Sequence, residues 1–289
     1  MPAATLGVVI DGVLVGGLYA LVSIGLTLVF GVMRLVNLAH GELIVGGAYL
    51  AIVSVGLLHW NPFLALLVVA PLLAAIAYPL QRWLLNPLLP AGLEAPLVAT
   101  FGLSLIAQTL FLLLFSGNPR SLQVSYAVTG ITVFGHPVRT VFLIGGLGGG
   151  ALIVATYLLV SATPFGRSLR AAAEDPEAAA TVGINVPHVY ALTLALSAAL
   201  ASVAGVMIAI AFSVTPTTGL SWLLRGFTVI VLGGMRSIWG TLAGGILIGL
   251  LEESVAAAIG PTYQDLIVFS ALVVVLLLRP QGLFGGGHR

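Results

Sequence analysis

The sequence predicts an all-α fold: a polytopic α-helical membrane protein of roughly eight or nine spans, counting broken or short helices, in a single domain covering residues 1–289. Three observations carry this. Charged residues make up 7% of the chain, where a soluble domain carries roughly 25%. Hydrophobic residues make up 60% and mean hydropathy is +1.18, so neither a soluble globule nor a disordered chain fits. The apolar runs are continuous and about 20 residues long, enough for a helix to cross ~30 Å of hydrocarbon; a barrel strand would alternate apolar and polar positions over about ten residues.

The first run, 5–33, has neither a basic leader nor a small-residue cleavage site, so it reads as a retained helix. Its Asp11, Gly16, Gly17, Ser23, Gly25 and Thr27 mark contact with other helices rather than with lipid. The second run, 42–60, follows the polar patch Arg34, Asn37, His40 and Glu42, and Asn61-Pro62 then turns the chain. The third, 62–82, stops at Gln81, Arg82 and Trp83. Asn86, Pro87, Pro90, Gly92 and Pro96 make 83–95 read as a loop. The fourth run is 95–116. Between 117 and 139 the chain is polar and β-branched, with turn residues at Thr129-Gly130 and Phe134-Gly135-His136-Pro137, which suits a small hairpin outside the bilayer. The fifth span is 140–160. The most polar segment, 161–187, follows it and carries Arg167, Arg170, Glu174, Asp175 and Glu177. After the sixth run, 188–213, comes a loop with Pro216 and Gly219. Residues 226–256 read as two shorter apolar pieces broken at Gly233-Gly234-Met235-Arg236, and the last span, 264–279, ends at Arg279-Pro280.

Arginine placement sets the expected orientation. Arg82, Arg167, Arg170, Arg279 and Arg289 fall on one side, taken as cytoplasmic, and Arg120 and Arg139 on the other. The N-terminus is then external and the C-terminus cytoplasmic, which requires 226–256 to cross twice.

Composition also bounds the chemistry. All ten cations are arginine, so the lysine of a P-loop is absent, and with it Schiff-base chemistry. No cysteine is present for thiolate catalysis, disulfides or metal thiolates. Neither G-x-S-x-G nor H-E-x-x-H occurs, and His40, His59, His136, His188 and His288 have no metal-ligand spacing. The adjacent Glu252 and Glu253 point to different helix faces. The expectation is a non-enzymatic chain with no catalytic residues, metal or cofactor. A net charge of +1 gives no footing for nucleic acid.

The stretch RSLRAAAEDPEAAATVGINVP (167–187) is alanine-rich and amphipathic, which predicts two short helices over 167–174 and 176–182. Asp175 before Pro176 has the form of an N-cap with proline at the first helical position, and Glu177 lies in the first turn, where the helix dipole favours an anion. Gly183 suits a left-handed C-cap, and Asn185 with Pro187 stops the helix. From physics alone the pair is either a helical linker or a rigid knob that docks into a partner.

The segment resembles the coupling loop of ABC permeases, and Gly183-Ile184-Asn185 resembles the version in branched-chain amino-acid permeases of the Liv type. Three further stretches resemble that family in order: GGLYALVSIGLTLVFGVMRLVNLAHGE (16–42), GGMRSIWGTLAGG (233–245) and LLLRPQGLFG (276–285). The VNLAHGE version is closer to the H-type paralogue than to the longer M-type. The resemblance implies a permease subunit of a binding-protein-dependent importer in the bacterial inner membrane. It also implies partners: a second, usually unlike, permease, two cytoplasmic ATPases and a periplasmic or lipid-anchored binding protein, all within membrane lipid. The coupling loop would be 161–187, with Arg170, Glu174, Asp175, Glu177, Ala179, Ala180, Gly183 and Asn185 facing the ATPase. Branched-chain amino acids are the implied substrate, and related permeases handle urea and short amides. The rival class is a stand-alone secondary transporter or channel, which needs no docking knob.

Two readings of the patch at Arg34, Asn37, His40 and Glu42 stand open. As a loop at the cytoplasmic surface it needs no pairing. As an unwound stretch between half-helices it lines the pathway. Gly31-Val32-Met33-Arg34 recurs loosely as Gly233-Gly234-Met235-Arg236, a hint of two interrupted segments around one midplane site. The candidate pathway residues are therefore Asn37, His40, Glu42, Gly233 and Gly234. Arg225, Arg236, Glu252 and Glu253 are candidates for pairing inside the bundle, with partners left open.

Overall fold

A computed structural model describes residues 2–92, 94–279 and 282. Eight helical segments among the described residues are long and apolar enough to cross a membrane, and a shorter apolar helix accompanies them. The protein is a polytopic helical membrane protein, as expected.

Helix α1 (Pro2–Met33) is the axis of the bundle. Its small residues let other backbones approach, and it packs along α6 (Thr140–Ala162), α9 (Val186–Ala211) and α11 (Ile238–Ile259). At α11 the two chains run antiparallel, with Gly12 against Leu250 and Gly16 against Gly245 and Ile246. At α6, Gly17 lies against Gly146. Helix α2 (His40–Leu58) is wedged between α3 (Pro62–Pro79) and α9. His59 in the left-handed region closes α2, and Asn61 caps α3 through the Phe63 amide, with Pro62 at the first position. Helix α4 (Glu94–Phe115) and α12 (Gln264–Leu278) lie outside and leave most of their surface uncovered.

The expected loop at 83–95 is instead wound for most of its length. A π-turn over Leu80–Leu85 and a 3-10 turn over Asn86–Ala91 prolong α3 to a segment spanning Pro62–Ala91. Prolines at 71, 79, 87 and 90 would break a helix in water. Here the winding changes to π and then 3-10 around the prolines, and side chains fasten the segment: buried Gln81 donates to Asn86 Oδ1 at 2.9 Å, and Asn86 donates to the Pro187 carbonyl of α9 at 2.9 Å.

The polar stretch 117–139 holds the predicted hairpin. Strand β1 (Gly130–Val133) pairs antiparallel with β2 (His136–Arg139), with Ile131 opposite Val138. Phe134 and Gly135, both at positive φ, make the two-residue turn. A single turn, α5 (Ser125–Val128), precedes it. Arg120 and Val214 exchange backbone hydrogen bonds of 2.9 and 2.8 Å, so this stretch and the loop after α9 share one end of the bundle. Asp11 and His136, 2.9 Å apart, bring the start of α1 to the same end.

The opposite end gathers the predicted short helices, α7 (Pro164–Glu174) and α8 (Pro176–Thr181), with the break between α10 (Gly219–Gly233) and α11. Arg236 lies 3.7 Å from Glu174 there. Arg82, Arg167 and Arg170 are thus at one end and Arg120 and Arg139 at the other. The chain does break at Gly233-Gly234-Met235-Arg236, but α10 has 15 residues, about 22 Å of helix, short of the ~30 Å core. Half of the closing stretch 276–285, and Arg289, lie outside the described residues.

Candidate functional site

Two arrangements gather the residues singled out from the sequence: the helix pair at one end of the bundle, and a polar junction inside it.

The helix pair is built by its caps. Thr163 Oγ1 accepts from the Gly166 amide at 3.1 Å and starts α7. Asp175 Oδ1 accepts from the amides of Glu177 and Ala178 at 3.0 and 2.9 Å and starts α8, as its position before Pro176 predicts. Gly183, at φ +86°, ends α8: its amide bonds to the Ala180 carbonyl and the Ile184 amide to the Ala179 carbonyl, the two bonds of a Schellman cap. Asn185 plays a different part from the one expected. Rather than only stopping α8, its side chain caps α9 through the His188 amide at 3.1 Å.

Ties to the bundle are polar on one side and apolar on the other. Arg170 donates to the Val160 carbonyl, and Arg82 donates to Asn185 Oδ1 at 3.2 Å. Leu169, Ala172 and Ala179 are buried. Ala179 therefore packs against its own chain and does not face outward. The outward surface is Glu177, Ala178, Ala180, Thr181 and Val182, the last 76% exposed. A groove of about 470 Å³ behind the pair is lined by Gly31, Arg170, Glu174 and Arg236, among others.

The interior junction overturns the surface-loop reading of the patch after α1. Beyond Arg34, itself in the left-handed region at φ +54°, the chain runs back into the bundle. His40 Nε2 donates to the Val22 carbonyl at 3.0 Å, eleven residues and about 17 Å below the end of α1. The Leu38 amide donates to Thr100 Oγ1 at 3.3 Å, and Asn37 Oδ1 accepts from the Ala39 amide at 3.0 Å. Residues 34–39 are thus an unwound return, and α2 begins inside the bundle rather than at its end. Asn37, His40 and Glu42 are 3%, 0% and 5% exposed, so all three are inside the bundle.

Helix α10 also begins at that depth. A Cβ on Gly219 would stand 2.5 Å from Glu42 Oε1, and Gly41 meets the Gly219 backbone directly, so both positions need glycine for close approach. Ser104 on α4 donates to Glu42 Oε1 at 3.3 Å. Glu42 Oε2, His40 Nδ1 and Ser197 Oγ are buried without a hydrogen-bond partner. Gly233 and Gly234 do not join this junction. They lie at the other end of α10, about 21 Å along the helix from Gly219, where Gly233 packs on Gly240 and Gly234 turns the chain at φ +87°.

A separate polar network pins α10. Arg225 Nε donates to Glu252 Oε1 at 3.2 Å, and the same guanidinium pairs with Asp265. Tyr19 donates to the other Glu252 oxygen, and Trp222 lies 5.4 Å from the Arg225 guanidinium carbon. Of the pairs left open in the sequence, Arg225 takes Glu252 and Arg236 takes Glu174. Sequence reasoning missed Thr100, Ser104, Gly219 and Asp265. Their partners are 40 to 177 residues away along the chain, and no local pattern marks them.

Comparison with known proteins agrees with this architecture. The family model described as the branched-chain amino acid transport system / permease component matches residues 8–277. The high-affinity branched-chain amino acid transport system permease protein BraD of Pseudomonas aeruginosa is 32% identical, over 96% of this chain and 94% of its own. LivH of Escherichia coli K12, of the same description, is 32% identical over 95% and 94%. LivH of Salmonella typhimurium is 30% identical over 95% and 94%. No solved structure matches the chain. With the family model spanning nearly the whole bundle and relatives matching end to end, the chain belongs to the family of branched-chain amino acid transport system permease components.

Proposed function

We propose that this chain is the membrane permease subunit of an ATP-driven, binding-protein-dependent importer for branched-chain amino acids in a bacterial inner membrane. The observation that carries the reading is the α7–α8 pair: a capped, rigid knob with an outward face at one end of the bundle. ATPase subunits dock there, so that end is cytoplasmic. The hairpin end is external and receives the binding protein. The N-terminus is external and the C-terminus cytoplasmic. Two ATPases and a second, unlike permease complete the assembly, and hydrolysis resides on the ATPases. Glu177, Ala180 and Gly183 form or hold the docking face. Arg170, Glu174, Asp175, Ala179 and Asn185 fix it to the bundle.

Asn37, His40 and Glu42 line the pathway at mid-depth, where two helices start inside the membrane. Gly233 and Gly234 serve it at a distance, as the turn that lets α11 return against α10. A channel or secondary transporter has no use for the knob, and the relatives' names favour amino acids over urea or short amides. The test is reconstitution with candidate ATPases, a second permease and a binding protein from the same organism. ATP-dependent leucine uptake that requires every subunit is the expected result. Uptake without the ATPases points to the secondary-transporter class.

A further inference from the structure

Two glutamates are fully enclosed in this bundle, and they are treated differently. Glu252 has a guanidinium on one oxygen and a phenol on the other. Glu42, at 5% exposure, has a single 3.3 Å bond from Ser104 on Oε1 and nothing on Oε2. No cation pairs with it among the described residues. An acidic group at membrane depth without a counter-charge is costly when ionised, and such groups face a cavity, a partner or a transported solute.

Its surroundings define the ligand. The carboxylate lies against Gly219, the first residue of the 15-residue helix α10. The first-turn amides there have no intrahelical acceptor, and the Thr218 side chain does not cap them. A free carboxylate and a set of free amides thus stand side by side at mid-depth. One suits a cation; the other suits an anion. A zwitterion carries both groups on one carbon.

We propose that Glu42 Oε2 and the N-terminus of α10 form the recognition point for the α-amino acid headgroup in transit: Glu42 takes the ammonium and the α10 amides take the carboxylate. The inference rests on the amino-acid importer reading above and adds which atoms meet the substrate. The missing cation of Glu42 is the cargo itself. The site then recognises the invariant end of an amino acid and leaves side-chain choice to other parts of the assembly.

The test uses the full reconstituted complex with parental, Glu42→Gln and Glu42→Asp permease. Leucine uptake, complex assembly and basal ATP hydrolysis are measured on the same preparations. Loss of one charge-assisted contact in the membrane interior lowers Glu42→Gln uptake by about tenfold or more, while assembly and basal hydrolysis stay parental. Glu42→Asp, which keeps the charge, recovers a substantial part. A second arm measures binding of labelled leucine to the complex in nanodiscs without the binding protein. Unlabelled leucine competes, 4-methylpentanoate, which lacks the ammonium, does not, and Glu42→Gln loses the signal. Unchanged uptake and binding in Glu42→Gln overturn the inference. A fall in assembly or basal hydrolysis parallel to uptake in both variants also overturns it, in favour of a packing role. If the parental complex moves no leucine, it is the importer reading that fails.

Discussion

Gly16 and Gly245 meet backbone to backbone: a Cβ on Gly16 would stand 2.6 Å from the Gly245 carbonyl oxygen, and Gly249 meets the Gly16 backbone one turn further on. In a bilayer, where lipid is as apolar as leucine, such close approach is what holds helices together. Gly16→Val forces α1 and α11 apart along the most extensive contact in the bundle. The expected loss is about 1–3 kcal/mol or more, seen as a lower melting temperature in detergent and reduced yield of folded protein. Gly148→Val, where a Cβ meets nothing, is the control and stays parental.

Arg225 and Glu252 test the electrostatic side of the same bundle. Their side chains are 17% and 3% exposed, and removing Arg225 leaves the buried Glu252 with the Tyr19 hydroxyl but no counter-charge. Arg225→Ala is expected to destabilise by about 3–5 kcal/mol. The double change Arg225→Met, Glu252→Leu removes both buried charges and costs less than Arg225→Met alone. A thermal-melt double-mutant cycle measures the difference. Additive effects would mean that the pair is not coupled.

The two faces of α8 separate docking from folding. A bulky Ala180→Trp, on the exposed face, keeps the fold but abolishes uptake and substrate-stimulated hydrolysis. Ala179→Trp, at 3% exposure, lowers stability itself. Melting temperature and coupled hydrolysis, measured together, distinguish the two. Equal behaviour of both variants contradicts the assignment of faces.

Gly183→Val strains the cap, because the β-branched side chain resists φ near +86° by roughly 1–2 kcal/mol. The space around Gly183 is open, so the effect comes from conformation rather than collision. Coupled uptake falls, and Gly183→Asn, which tolerates the left-handed region, retains most of it. Parental uptake in Gly183→Val would leave the cap without a role in coupling.

Orientation is checked with cysteine labelling, since the chain has no cysteine of its own. Thr181→Cys and Phe134→Cys are both exposed positions, at opposite ends of the bundle. A membrane-impermeant thiol reagent applied to spheroplasts labels position 134 and not 181. The reverse pattern inverts the topology.

Much of this was legible in one dimension because the decisive signals are local. Spans show as apolar runs, the hairpin as Phe134-Gly135 between β-branched strands, and the α7–α8 break as Asp175-Pro176. Gly183 announced its cap for the same reason: only a few residues enter the left-handed region freely. What escaped was depth. Nothing in Val36-Asn37-Leu38 distinguishes a surface loop from a chain returning into the bilayer, because the partners that allow the return are the Val22 carbonyl and Thr100, on separate helices. The prolines after Tyr78 misled in the opposite sense. They read as breakers, but the chain absorbs them by changing to π and 3-10 winding, and Asn86 anchors the result to α9. Charge pairing was invisible throughout, since Arg225 finds Asp265 only through the packing of α10 on α12.

The prolonged end of α3 has a mechanical consequence. Arg82 and Asn86 grip the start of α9 at Asn185 and the Pro187 carbonyl, and Tyr78 bonds His188 at 2.7 Å. Residues 176–181 run straight into that start, so a push on α8 moves two bars of a linkage at once, α9 through the chain and α3 through side chains. Helix α2 is clamped between those bars. Its first turn carries Glu42, so one run of packed and hydrogen-bonded helices joins the α8 surface to the interior junction.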